Sequence, residues 1–170
     1  MALTTDISLA VIATLSKVVD LANDPEYSLN LSNKTQLATG TGAGQADVMF
    51  TDQRNLGASA TEDLDLVGSL TDALGTGFSP ARVKFLFVKA LATNTNNVIV
   101  GAASATQWAA LLGTTGTVTL RPGAWFAAAA GAADATGYVC AAGSTDLLKV
   151  ANSAGSTSVN YQIVVIGASV

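Results

Sequence analysis

Short runs of alternating polar and apolar residues recur along this chain, separated by clusters of Gly, Asn, Ser and Thr. Thr61–Val67 alternates as a half-buried strand does. Arg82–Lys89 starts by alternating and becomes fully apolar at Phe85–Val88, with Pro80 just ahead, where a strand entry tolerates it. Asn97–Gly101 is β-branched at its centre. Gly116–Arg121 alternates again before a Pro122-Gly123 turn. Trp125 and Phe126 open a run that continues through Ala127–Ala130, read as a strand of small side chains. Tyr138–Ala141 follows a turn at Asp134–Gly137. Leu147–Ala151 comes next, and Val159–Ile166 carries the clearest core signature. From residue 60 onward this predicts about seven strands at the spacing of an antiparallel β-sandwich, jelly-roll-like in type. One short helix is predicted over residues 105–112, with Ser104 as its cap and Gly113 as its stop.

The first 55 residues allow two readings. Ile7, Val11, Leu15 and Val18 fit a helical stripe, yet the same stretch is rich in the Val, Ile and Thr of extended chain. Residues 1–25 are therefore expected to form a helical or extended arm, or a first strand, ahead of one sandwich domain over 26–170. Tyr27–Leu31 and Asp47–Thr51 read as strands, and the Gly40–Gly44 stretch between them as a flexible loop. No second domain and no repeat is visible.

Composition narrows the function. Charged residues make up 12% of the chain, about half the usual share. There is no His and one Cys, which removes His-based triads, His-ligated metals and disulfide scaffolds. A net charge of −4 with scattered basic residues argues against nucleic-acid binding. Residues 90–120 lack charge but contain Thr93–Asn97 and several glycines, too polar and broken for a membrane span. No positively charged segment precedes the N-terminal apolar run, so no export signal is expected. A surface this poor in Lys and Glu suits a chain covered by other subunits.

The chemical candidates are weak. Gly40–Gly44 lacks the strand–helix context and the Lys-Ser/Thr of a phosphate cradle. Asp63 and Asp65 share a strand face and could hold a cation or form a carboxylate pair, but a solvated face is the better reading. Cys140, in small apolar surroundings and with no activating His, reads as a core residue. No lysine follows a Ser at the spacing of a Ser–Lys nucleophile. The expectation is a protein that is not an enzyme, with no catalytic residues, no cofactor and no metal. Trp108 is balanced between core packing and an interface anchor, whereas Trp125 is expected in the core. Arg54, Arg82 and Arg121 are candidates to bridge acidic patches on neighbouring subunits.

Five segments together resemble a known group. They are Asn94–Gly101, Arg121–Gly123, Asp134–Tyr138, Thr51–Leu56 with Ala60–Leu66, and Asp146–Ser156. They resemble small virion proteins of tailed bacteriophages, of the capsid cement or decoration type, over most of residues 35–170. The resemblance implies a homo-oligomer, with a trimer as the leading expectation. It would sit on the outer surface of the head, bind the major capsid protein and stabilise the shell. A tail-tube or head–tail adaptor component and a receptor- or glycan-binding fibre domain are the alternatives.

Overall fold

The computed structural model describes residues 2–20 and 24–170, and every regular element among them is a strand. The N-terminal stretch takes the extended reading. Strand β1 (Thr5–Ser16) pairs antiparallel with β2 (Glu26–Thr39) in a continuous register from Thr5↔Leu37 to Ser16↔Glu26. The expected arm over residues 1–25 thus takes its partner from residues assigned to the sandwich. A two-residue strand, β3 (Gln45–Ala46), adds in parallel at the base of β2.

The body holds two larger sheets. One contains β4 (Val48–Leu56), β6 (Arg82–Ala90), β9 (Trp125–Ala129), β10 (Tyr138–Val139) and β12 (Val159–Ala168). Its order is β4-β12-β6, and β9 and β10 share the far edge of β6. The other contains β5 (Thr61–Asp65), β7 (Val98–Gly101), β8 (Thr117–Leu120) and β11 (Leu147–Asn152), ordered β5-β11-β7-β8. Pairing within both sheets is antiparallel throughout.

The alternation read in the sequence decides which face is buried. Leu86, Val88, Tyr161, Ile163 and Val165 of the first sheet meet Leu64, Val98, Val100, Leu148 and Val150 of the second in one core. Because side chains alternate along a strand, Phe85, Phe87, Val164 and Ile166 point to the opposite, outer face of the first sheet. There is a register shift in the β12–β6 pairing at Ile166/Gly167. A Cβ on Gly167 would lie 2.6 Å from the Arg82 carbonyl oxygen, so this close approach requires glycine.

The predicted helix over 105–112 does not form. The Leu147 carbonyl accepts the Trp108 amide, and the Thr106 carbonyl accepts the amides of Asp146 and Leu147. Thr106 itself has φ of 41°, outside the helical region. The backbone groups a helix would pair internally are thus spent on the start of β11. What remains is a single turn, in which the Gly113 amide reaches the Ala109 carbonyl. A local cap and stop could not reveal that competitor. The Gly40–Gly44 stretch closes as a turn, with Gln45 Oε1 accepting the Gly42 amide. No helix among the described residues is long and apolar enough to cross a membrane.

Candidate assembly surface

The N-terminal hairpin is the feature the body does not explain. Directly opposite residues share a face, so the register sorts its side chains. One face carries Ile7, Leu9, Val11, Ala13 and Leu15 with Tyr27, Leu29, Leu31 and Leu37. The other carries Asp6, Ser8, Thr14 and Ser16 with Glu26, Ser28, Asn30, Ser32, Lys34 and Gln36, broken by Ala10 and Ile12. The hairpin is therefore amphipathic, although half of it has nothing to be amphipathic against.

Only the root of its apolar face is covered. Leu37 is buried with Ala46 and Ile166, and Leu3, Ile7, Phe85 and Val164 pack around them. Further out the cover ends. Leu15 is 73% exposed, Tyr27 68% and Leu31 58%. A two-stranded ribbon is marginal in water even without such exposure. Beyond its root, each strand of the hairpin also leaves one edge of backbone groups unpaired by another strand.

Between the hairpin and the outer face of the first sheet lies an open cleft of about 700 Å³. Ile7, Leu9, Asn33 and Thr35 form the arm side, and Phe85, Phe87, Lys89 and Trp125 the sheet side. Trp125 leans on Phe87 with ring centroids 6.2 Å apart and is 53% exposed. It is not the core residue expected from sequence. Its β9 position faces outward because its neighbour Phe126 takes the inward side.

Trp108 resolves the other way. It is 5% exposed, donates from Nε1 to the Val139 carbonyl at 3.0 Å, and stands edge-on to Tyr138. Its polar atom is satisfied inside the protein, so it is not a surface anchor in this fold. Arg54 reaches inward too, with Nε 2.8 Å from Glu62 and Nη1 2.8 Å from Asp52. Those hydrogen bonds, Glu62 first, raise its pKa. Arg82 donates to the Ala135 carbonyl at 2.7 Å and helps to fix the 134–137 turn. Beside it the buried Lys84 donates to the carbonyls of Asp134 and Ala135. Of the three arginines, Arg121 is exposed and makes no ion pair among the described residues.

The other chemical candidates settle into structural roles. Asp65 Oδ1 accepts the amides of Val67 and Gly68, closing a turn. Asp63 lies directly across from Lys149 on β11, a partner that only the strand pairing brings near. Cys140 is buried, and that burial, with Asp146 nearby, pushes its thiol up to about 12. Among the described residues no group of His, Cys, Asp or Glu could hold a metal ion. No family model matches the chain, and no curated protein or solved structure is significantly similar to it.

Proposed function

We propose that this protein is a virion structural subunit of the capsid cement or decoration type, built on a jelly-roll sandwich. The strand pairings support the architecture. From β4 to β12 the chain doubles back as one ribbon, pairing β4 with β12, β5 with β11, β6 with β9, and β7 with β8. The ribbon is then rolled so that β12 meets β6 and β11 meets β7. That is the plan of two interleaved Greek keys, shared by viral capsid and lectin domains.

The projecting amphipathic hairpin carries the reading. An exposed Leu, Val and Tyr face on a marginal ribbon is a liability in a free monomer and an asset in an assembly. In this reading the arm and the outer sheet face engage neighbouring subunits and the major capsid protein on the outside of the head. Each contact is modest, and repetition over the shell supplies the retention.

The test is to add the purified chain to heads assembled without it. Stoichiometric occupancy and greater resistance to heat or low salt are expected. Absence of binding with unchanged stability would overturn this reading, and rings and tubes of the purified protein under the electron microscope would replace it with a tail component.

A further inference from the structure

We infer that the arm of one copy docks on the outer sheet face of a second copy, against Phe87 and Trp125, so that each copy donates an arm and accepts one. The inference deepens the reading of the arm as an assembly element and is independent of any capsid partner.

The chain presents both halves of such a contact. The donor half is the uncovered arm face: Leu9, Val11, Leu15, Tyr27, Leu29 and Leu31. It contains no charged residue. The acceptor half is the cleft wall of Phe87, Trp125, Ala127 and Ala129, which continues from the patch at Phe85 that the arm's own root already covers. The same apolar face of the ribbon therefore already packs on this same sheet face within one chain. Beyond Leu9 it outreaches its own body, and only another molecule can continue the contact.

Charge is complementary in the same sense. At the Trp125 end of the wall Lys89 stands directly across from Trp125, and Arg121 lies in the turn leading into β9. Neither has an ion pair among the described residues. The arm tip carries Asp20, Asp24 and Glu26 against the single Lys17, likewise without ion pairs among the described residues. A docked arm whose tip runs toward the Trp125 end brings these groups together.

The area sets the strength of the contact. The uncovered stretch, residues 9–16 against 26–33, runs about 27 Å along the strands and about 10 Å across them, a footprint of about 270 Å². The acceptor wall is shorter, five residues of each of two paired strands or about 17 Å by 10 Å, so two copies that each donate and accept cover about 700 Å², the scale of a weak, concentration-dependent association.

The experiment uses the full chain and light scattering over a concentration series. The arm variant joins Val11→Lys and Leu31→Lys, and the wall variant is Trp125→Glu. Wild type should associate, and each variant should need at least about ten-fold higher concentration to do so. Far-UV circular dichroism and the urea midpoint under monomeric conditions check the body, and Trp125→Ala replaces Trp125→Glu if the latter unfolds. Mixing arm and wall variants should bring association to a lower concentration than either variant needs alone, though not to wild type, because the mixed pair keeps one intact arm–wall contact of the two. A monomeric wild type, a wall variant that associates normally, or a mixture that associates no more readily than either variant alone overturns the exchange. A monomer that still decorates heads would leave the capsid reading standing and give the arm to the capsid protein alone.

Discussion

Tyr161 on β12 donates its hydroxyl to Glu62 on β5 across 2.7 Å, tying the two body sheets together through their shared interior. Arg54 on β4 holds the other Glu62 oxygen at 2.8 Å. Tyr161 is fully buried, and burial first, then the Glu62 carboxylate, push its phenol far above the ordinary range. Tyr161→Phe should cost about 1–2 kcal/mol, since it removes one hydrogen bond to a charged acceptor and leaves the Arg54 pair intact. Glu62→Ala should cost more, about 2–4 kcal/mol, because it strands both the hydroxyl and the half-buried guanidinium. Urea unfolding of the two variants checks the order; equal losses would mean that the hydroxyl carries the whole effect.

Cys140 gives a pH dependence with a definite sign. The native state holds the thiol proton up to about 12, while the free thiol releases it near 9.0. The folded protein thus binds more protons than the unfolded chain in that window. This contribution is full below pH 9 and is lost as pH rises towards 12. Cys140→Ala should flatten the decline in denaturation midpoint between those values. A thiol reagent at pH 8 should leave the native protein unmodified and label it after unfolding.

Leu37 anchors the arm at its root, buried with Ala46 and Ile166. Leu37→Ala should cost about 2–4 kcal/mol at that contact. The loss should fall on local opening of the hairpin rather than on the whole molecule. Hydrogen exchange should speed up across Ile7–Val11 and Leu31–Thr35 and hardly change in β7 and β11. Uniform acceleration would show that arm and body open as one unit.

The two tryptophans report different environments. Trp125→Phe should leave the blue-shifted, quencher-resistant emission of buried Trp108, and Trp108→Phe the quencher-accessible emission of Trp125 under monomeric conditions. In the Trp108→Phe variant, emission should move to the blue as concentration rises, because arm docking covers Trp125. A spectrum independent of concentration while association proceeds would place the contact elsewhere.

The strands of the body were legible because alternation and short apolar runs are local properties of a buried sheet: Arg82–Lys89 and Val159–Ile166 read correctly from partial two-residue periodicity together with their β-branched and aromatic apolar stretches. The absence of His was legible because composition is a sum over residues, whereas the Ala127–Ala129 strand, although expected from sequence, is held by its pairing with β6 about 40 residues away. The choice between helix and strand over Ile7–Ser16 was not local. It turned on Glu26–Thr39 arriving alongside to pair with β1. Residues 105–112 lost their helix to the start of β11, about 40 positions away in sequence.

A buried asparagine shows the same division. Asn152 ends β11 and is polar, yet it is buried and donates to the carbonyls of Gly57 at 2.9 Å and Thr157 at 2.7 Å. Periodicity likewise could not assign Trp108 and Trp125. Each sits among apolar neighbours, and only the pairing of β9 with β6 turns Trp125 outward while the Val139 carbonyl claims Trp108. Sequence by itself determined that this chain is built of strands and is poor in charge and catalytic groups, because those are sums over local residues. Tertiary structure decided that its N-terminal strand is half of a ribbon with an uncovered apolar face, because a face exists only once a partner strand sets the register.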